Sequence, residues 1–165
     1  MSPELDKKLC EKYPIIFSER KLSPYESCMG RGFECGNGWY SLIDVLCGKI
    51  QIHIDQHNKY LKEGGALIPQ FIALQVKEKF GTLTIYYKGG DEYIQGLVSM
   101  ASSVSWSICE ICGTGGISHV GHTEGWIRAL CKSCSQFTNR PIKMNDFKET
   151  FEKAVNEEQN KYVQH

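Results

Sequence analysis

Two pairs of cysteines in the carboxyl-terminal third of the chain constrain its fold more than any other feature. Cys109 and Cys112 are separated by two residues, as are Cys131 and Cys134, and 18 residues lie between the pairs. Each Cys-x2-Cys pair places two thiolates on one tight turn, and two such turns complete a tetrahedral metal site. The spacing predicts one structural zinc ion (Zn²⁺), because four thiolates leave no coordination position open for water or substrate.

Other readings of this segment stay open at the level of sequence. His119 and His122 lie between the pairs and offer a set of three cysteines and one histidine, and the pairs are also compatible with redox dithiols. Because the segment is rich in glycine, we expect the metal to supply its folding free energy, on the order of 10 kcal/mol in zinc-finger peptides. Trp126 and Ile127 are expected to pack this module onto the rest of the protein.

Composition narrows the cellular context and the class of partner. The chain has eight cysteines, and its first residues, "MSPELDKKLCEKYP", carry charges where a signal peptide would need an apolar run. This pattern indicates reduced thiols and predicts a cytoplasmic protein with no membrane association. Lys plus Arg and Asp plus Glu both number 19, so binding driven by a large net charge is excluded, whereas local basic patches are not.

Helical periodicity dominates the first part of the chain. Ser2-Pro3 predicts a helix start and Pro14 its end, and Ser23 with Glu26 forms a capping-box pattern that predicts a second, short helix. From Trp39 an apolar stripe predicts a long central helix that ends at 64–65. The stripe comprises Ile43, Leu46, Cys47, Ile50, Ile54, His57 and Leu61.

Alternation with a period of two then predicts a β-hairpin around Gly81. Its first strand places Ile72, Leu74, Val76, Glu78 and Phe80 on one face, and its second places Leu83, Ile85 and Tyr87 on one face. A third helix should follow 89–91, with an inner stripe of Ile94, Leu97, Val98, Ala101 and Val104. A last helix, capped near Asn145, should bury Phe147, Phe151, Val155 and Tyr162.

These elements predict an α+β fold, in which a β-hairpin packs on a long central helix and flanking helices and carries a small zinc-ribbon-like module. Residues 1–106 would form the α+β core, residues 107–140 the zinc-binding module, and residues 141–165 a carboxyl-terminal helix. A hairpin alone is marginally stable, so helices are expected to cover its apolar face.

Basic and aromatic side chains indicate a surface for a macromolecular partner. Lysines around an exposed tyrosine suit RNA, because phosphates take the charge and bases stack on rings. The predicted contact residues are Lys77, Lys79, Tyr86, Lys88, Arg128 and Lys132. The alternative is that the lysines only keep an edge strand from pairing with other chains.

Other reactive side chains suggest weaker hypotheses. Cys35 precedes the long helix, where a helix amino terminus lowers a thiol pKa, so a thiol-dependent enzyme is one alternative. His53 and His57 lie one helical turn apart, and Cys28 and Cys35 are close in sequence, so each pair is a possible second metal site. The sequence assigns no role to Cys10 or Cys47. It contains no phosphate-binding glycine motif.

Three stretches carry a resemblance to known proteins. In chain order, "GFECGNGWYSLIDVLC", "VKEKFGTLTIYYKGGDEYIQGLVSMA" and "CEICG…GWIRALCKSC" resemble short proteins encoded by bacteriophages and prophages, over roughly residues 5–134. Members of that group often have a less complete second cysteine pair, whereas both pairs are intact here. The resemblance implies a phage context rather than a particular activity.

Together, the residues and the resemblance predict a non-enzymatic binding protein that inhibits a host macromolecule. The resemblance implies an anti-CRISPR or other counter-defence factor acting on an RNA-guided nuclease complex in the bacterial cytoplasm. The expected partner is a host protein or ribonucleoprotein, with RNA contact possible and no small-molecule substrate. The main alternative is a zinc-ribbon nucleic-acid-binding protein in phage transcription or replication.

Overall fold

Helices are interspersed with strands along the chain, and two pairs of strands follow each other directly. A computed structural model describes residues 1–116, 119–123, 126–136 and 143–146. Its helices are α1 (Pro3–Lys12), α2 (Tyr40–Lys59), α3 (Glu92–Ser105) and α4 (Lys132–Ser135). Its strands are β1 (Phe33–Glu34), β2 (Ile72–Lys79), β3 (Thr82–Lys88), β4 (His119–Thr123), β5 (Trp126–Ala129) and β6 (Lys143–Asp146). The predicted α+β class is confirmed, and none of the described helices is long and apolar enough to cross a membrane.

The long central helix is confirmed as α2, which has 20 residues. A 3₁₀ turn at Asn37–Trp39 leads into it, and the Asn-Gly dipeptide there is typical of turns. The buried side chains are Ile43, Leu46, Cys47, Ile50 and Ile54. His57 was predicted on this stripe but is exposed, and its Nε2 lies 3.1 Å from the carbonyl oxygen of Ala66. Leu61, also predicted on this stripe, lies beyond the end of α2 at Lys59, so the buried face of the helix ends at Ile54, about two turns earlier than predicted.

The predicted hairpin is confirmed, with one correction to its faces. Phe80 and Gly81 join β2 to β3 with φ of 52° and 80°, the pair of positive angles that a two-residue type I′ turn needs. Between Ala73 and Gln75 the register shifts, so Leu74 has no partner on β3. A β-bulge of this kind moves side chains to the opposite face. The fully buried Ala73 therefore faces the core, and the prediction of strict alternation through Leu74 was wrong.

One strand was not predicted. Phe33–Glu34 pairs in parallel with β2, opposite Val76 and Lys77, and gives a sheet with the order β1-β2-β3. Two residues are too few for an alternating pattern to show. The same core contains the buried side chains of α2, of α3 and of the sheet, so the helices cover one face of the sheet.

Helix α3 follows the turn predicted at 89–91, but its inner stripe differs at one position. Ile94 and Ala101 are buried as predicted, whereas Val104 is 39% exposed. Ser105 takes the inner position instead. Its hydroxyl accepts a hydrogen bond from the Leu83 N–H at 2.8 Å and donates one to the Ser102 carbonyl at 2.6 Å. A buried serine can replace a valine here because both hydrogen-bonding functions of its hydroxyl are satisfied.

The capping-box residues form their hydrogen bonds without starting the helix that was predicted. Glu26 Oε2 accepts from the Ser23 hydroxyl at 2.6 Å and from the Ser23 N–H at 3.0 Å. The chain makes a single turn there and then a 3₁₀ helix over Cys28–Arg31. Gly32 has φ of 85° and ends that helix.

The described part of the carboxyl-terminal region differs from the predicted helix. Lys143–Asp146 forms β6, which pairs antiparallel with β4. Asn145, the predicted helix cap, therefore lies within a strand, and the assignment of all of 141–165 to a helix was wrong at this point. The predicted buried residues of that helix lie outside the described residues.

Asp91 fixes the start of α3 and links it to α2. Its Oδ1 accepts a hydrogen bond from the Ile94 N–H at 3.0 Å, and its Oδ2 lies 2.8 Å from His53 Nε2. Burial acts to raise the pKa of Asp91, but the hydrogen bonds from His53 and the Ile94 N–H outweigh it and lower that pKa. The carboxylate is thus a helix cap stabilised in its charged form.

We expect Asp91→Ala to lower the free energy of unfolding by about 1 kcal/mol near neutral pH, because it removes the cap. Since the folded-state pKa is lowered, the carboxylate stabilises the fold above its unfolded-state pKa of about 3.9 and loses that effect as pH falls through the folded value. The difference from wild type should therefore shrink in acid. Urea unfolding at several pH values measures it, with Asp55→Ala on α2 as the control. If the difference in free energy of unfolding between Asp91→Ala and wild type did not change with pH, the role of Asp91 as a charged helix cap would be contradicted.

Candidate metal centre

The structure brings the four predicted cysteine ligands together. The Sγ atoms of Cys109, Cys112, Cys131 and Cys134 all lie within 4.8 Å of one another. Cys112 Sγ and Cys131 Sγ are 3.7 Å apart. Two thiolates bound at about 2.3 Å in a tetrahedron are separated by roughly 3.8 Å, so this spacing fits one ion. The four cysteines could hold a metal ion.

Local hydrogen bonds shape the two turns that carry the sulfurs. In the first turn, the Gly113 N–H donates to the Cys109 carbonyl at 2.8 Å, and the Cys109 N–H donates to the Thr114 carbonyl at 2.9 Å. Gly113 has φ of 79°, which explains the glycine. In the second turn, Cys131 caps α4, and its Sγ accepts from the Cys134 N–H at 3.4 Å. Each cysteine pair thus lies on a backbone turn that orients its two Sγ atoms in the same direction.

The electrostatics of the cluster favour a bound cation. Burial raises the pKa of Cys109 and is the main reason why the pKa of Cys134 is raised. The hydroxyl and backbone of Thr114 instead lower the pKa of Cys112 to about 6. Four negative thiolates this close would repel one another, so the fully deprotonated set needs a multivalent cation to offset the repulsion.

A three-stranded sheet with the order β5-β4-β6 belongs to the same module. In it Val120 pairs with Ala129, and His122 with both Ile127 and Lys143. The backbone of His119 and His122 lies on β4, and their side chains lie outside what the structure describes. The convergence of all four cysteines favours the four-thiolate set over a set with one histidine.

The amino end of α2 packs closely against the first cysteine turn. Trp39 is fully buried, and its Nε1 donates to the Ile108 carbonyl at 3.0 Å. The Gly38 N–H donates to the Glu110 carbonyl at 2.7 Å. A Cβ at Gly38 would lie 2.0 Å from the Cys109 carbonyl oxygen, and one at Gly36 2.2 Å from that of Glu110. The "CGNGW" stretch is therefore the docking site for the metal module.

Glu110, whose role the sequence did not predict, joins the module to the core through hydrogen bonds. It is only 5% exposed, and its Oε2 accepts from Arg128 Nε at 3.1 Å and Nη2 at 3.0 Å. Its Oε1 accepts from the Gly36 N–H at 3.0 Å. A signal was present, since Arg128 is the only charged residue in the apolar run "WIRAL". A lone charge among apolar residues indicates a buried partner of opposite sign.

The module also packs on the hairpin, as predicted for Ile127. A Cβ at Gly81 would lie 3.1 Å from Ile127 Cγ2 and 3.6 Å from Trp106 Cζ3. The same prediction for Trp126 falls on a side chain outside the described part. Two separate contacts, at the amino end of α2 and at the hairpin turn, therefore fix the module to the α+β core.

The six predicted contact residues separate into two groups. Lys77 Nζ lies 5.2 Å from the ring centroid of Tyr86, and Lys79 Nζ lies 5.7 Å from that of Phe80. Tyr86 and Phe80 are 44% and 62% exposed.

The remaining predicted contact residues lie elsewhere. Lys88 pairs with Glu19 at 2.6 Å, and Arg128 pairs with Glu110, so both are engaged within the chain. Lys132 is exposed on α4. The structure thus assembles Lys77, Lys79 and Tyr86 beside the hairpin turn and does not join all six into one face.

The other cysteines and histidines do not form a second cluster within the described residues. Burial raises the pKa of Cys35 to about 12, the opposite of what activates a thiol nucleophile. Burial also raises the pKa of Cys10 to about 12 and raises that of Cys47. Cys28 is exposed. His53 bonds to Asp91 instead of sharing a ligand site with His57.

Comparison with known proteins returned no relative. No protein-family model, no curated protein and no solved structure matches this chain.

Proposed function

We propose that this chain is a non-enzymatic binding protein with one structural zinc ion, and that it acts by occupying a surface of a host macromolecule. The observation that carries the proposal is the closed set of four thiolates, fixed to the core through Trp39, Glu110 and Gly38. Zinc is the metal that a tetrahedral four-thiolate site favours. With no coordination position left for substrate, the metal's role is to fold and place the module.

The environment of the remaining reactive groups supports a binding role over a thiol-dependent reaction. Cys35 is 6% exposed with a raised pKa, so its thiolate is scarce at neutral pH. His53 on α2 hydrogen-bonds to Asp91, and Asp91 caps the start of α3. These contacts give each group a structural role.

The outer face of the sheet is the contact surface we propose. Lys77 and Tyr86 lie on the face of β2 and β3 that points away from the helices, with the ammonium group over the ring. Lys79 and the exposed Phe80 extend the surface to the hairpin turn. Exposed aromatic rings beside cations are typical of interaction surfaces, since rings bury area while cations select acidic groups.

The target that we propose is an RNA-guided nuclease complex of bacterial defence, in the host cytoplasm. This part rests on the resemblance to bacteriophage proteins. A ribonucleoprotein offers acidic phosphates and exposed bases, which suit lysine and tyrosine side chains. The function would then be an anti-CRISPR or related counter-defence activity exerted through binding.

Direct nucleic-acid binding is the second function we consider, and the lysine–aromatic contacts are the observation that favours it. If the partner is RNA or DNA alone, affinity should fall steeply with salt because counterions are released from phosphates. A protein surface with few charges would give a shallow dependence. Titration at several salt concentrations separates the two functions.

A capture experiment with matched variants tests the contact surface. Tagged wild-type protein, Lys77→Ala/Tyr86→Ala and Lys59→Ala/Tyr60→Ala are used to pull partners from a bacterial host lysate, with and without ribonuclease. The control pair has the same chemistry, with Lys59 Nζ 5.3 Å from the Tyr60 ring, but lies at the end of α2. We expect the sheet variant to retain at least about ten-fold less partner, which corresponds to about 1.4 kcal/mol, and the control to match wild type.

Ribonuclease treatment identifies the class of partner. A partner kept after treatment is a protein, and one lost by treatment is held through RNA. Equal retention by the sheet variant and wild type would refute the contact surface. A wild-type protein that retains no partner from a competent host would refute the proposed function.

A further inference from the structure

The four cysteines of the metal centre differ in their exposure to solvent. Cys109 is fully buried, Cys131 and Cys134 are partly buried, and Cys112 is exposed. A cysteine that binds zinc is a thiolate, which is the form of cysteine that reacts with oxidants. A small oxidant that approaches the metal centre from solution therefore meets Cys112 first.

An open groove leads to the turn that carries Cys112. The groove has a volume of about 460 Å³, and Cys112 and Gly113 line it together with the apolar side chains of Leu42, Val45 and Ile108. None of the described residues that line it is charged, and four neighbouring thiolates repel anions. A small uncharged oxidant, such as a hydroperoxide, is the class of reagent that this groove admits.

A second sulfur lies beside Cys112 on the other cysteine turn. Cys112 Sγ and Cys131 Sγ are 3.7 Å apart, whereas a disulfide bond is about 2.05 Å long, so the two sulfurs have to approach by about 1.7 Å. The segment after Cys112 leaves room for this movement, since a Cβ at Gly115 or Gly116 would meet nothing within 4 Å. The geometry therefore places a resolving thiolate next to the most exposed one.

We propose that Cys112 is an oxidation site, and that a hydroperoxide converts the metal centre into a zinc-free form with a disulfide between Cys112 and Cys131. This modification regulates the binding protein described above. It rests on the proposed function, because the zinc ion that it releases is the one proposed there.

Two steps form the disulfide. The Cys112 thiolate attacks one peroxide oxygen, the O–O bond breaks, and hydroxide leaves with the bonding electron pair, so the sulfur is oxidised to a sulfenic acid and the peroxide is reduced. The Cys131 thiolate then attacks the sulfenic sulfur, the S–S bond forms, and a second hydroxide leaves. Each hydroxide takes a proton from solvent and becomes water. Only two thiolates then remain for the metal, so the zinc ion leaves a site that needs four ligands.

Loss of zinc would reach the contact surface through the hairpin turn. The metal module packs on that turn through Ile127, whose Cγ2 lies 3.1 Å from the position of a Cβ at Gly81. Phe80 precedes Gly81 in the turn, and Lys79 Nζ lies 5.7 Å from the centroid of the Phe80 ring. A module without its metal no longer supports this end of the contact surface, so oxidation should weaken binding of the partner.

Peroxide treatment of the full zinc-loaded chain tests the oxidation site. Wild type and Cys28→Ser are incubated with hydrogen peroxide at neutral pH, a coloured chelator reports the released zinc, and peptide mass spectrometry identifies the disulfides. We expect one zinc ion released for each disulfide between Cys112 and Cys131. The rate should be the same in both proteins, because Cys28 is exposed but lies outside the cluster. Reductant and added zinc should restore the original metal content.

Two results would overturn the oxidation site. One is zinc that stays bound while Cys28 in the same wild-type sample becomes oxidised, which shows that the peroxide was effective. The other is a disulfide that joins a different pair of cysteines.

The capture experiment, repeated with oxidised protein, separates this inference from the proposed function. Oxidised wild type should retain at least about ten-fold less partner than untreated protein, and reductant with zinc should reverse the loss. Equal retention by a chain that has lost its zinc would refute the regulation. Untreated protein that carries zinc and retains its partner supports the proposed function whatever peroxide does, whereas untreated protein without zinc would contradict both.

Discussion

Cys131→Ser is expected to abolish stable metal binding and to lower the free energy of unfolding by several kcal/mol. The reason is that structural zinc contributes on the order of 10 kcal/mol to the folding of small sites, and three thiolates with a serine hydroxyl retain only part of that affinity. Cys131 Sγ lies 3.7 Å from Cys112 Sγ and caps α4, so its loss affects both turns. Guanidinium unfolding with metal analysis measures the effect.

The loss should be confined at first to the metal module. Hydrogen exchange should increase across residues 107–134, while α2 and the hairpin keep most of their protection. Cys28→Ser is the matched control, since Cys28 is an exposed cysteine outside the cluster. If Cys131→Ser and Cys28→Ser were equally stable, the metal would have no structural role.

Gly38→Ala is expected to destabilise the protein by about 3 kcal/mol or more, the range for severe overpacking. The added methyl group would lie 2.0 Å from the Cys109 carbonyl oxygen, and that backbone cannot move away without breaking the hydrogen bond from the Gly38 N–H to Glu110. The module would have to shift away from the amino end of α2. Urea unfolding and the fluorescence of the buried Trp39 report both effects.

The control for this variant lies in the metal module that Gly38 contacts. A Cβ at Gly115 would meet nothing within 4 Å, so Gly115→Ala should change the free energy of unfolding by less than about 1 kcal/mol. Both variants replace glycine by alanine next to the metal turns, but only the methyl group at position 38 would clash with the Cys109 carbonyl. Equal stability of the two proteins would show that the module is not docked as described.

The sequence predicted the four-cysteine cluster because cysteines at this fixed spacing carry their metal-binding chemistry in the sequence itself. It also predicted α2 and the hairpin, where apolar residues recur with a clear helical or strand period. The bulge at Leu74 escaped prediction because one extra residue in a strand leaves its composition unchanged while reversing the faces around it. Local patterns therefore located the elements better than they located the buried face.

What the sequence did not predict were contacts between distant residues. No pattern in the sequence shows that Gly36 and Gly38 lack a side chain because a segment more than 70 residues later packs against them. Arg128 was predicted to contact a partner, and only the fold shows that Glu110 engages it. Lys88 likewise pairs with Glu19, 69 residues away. Charge alone does not distinguish an exposed cation from a paired one.

Our central proposal is that the four cysteines hold one structural zinc ion, and native mass spectrometry of the full chain tests this proposal most directly. The account predicts one zinc per chain in wild type and in Cys28→Ser, and none in Cys131→Ser. It also predicts that cobalt substitution gives the absorption of a tetrahedral four-thiolate ion. A fully folded wild-type chain that carries no metal, with residues 107–134 protected from hydrogen exchange, would contradict it.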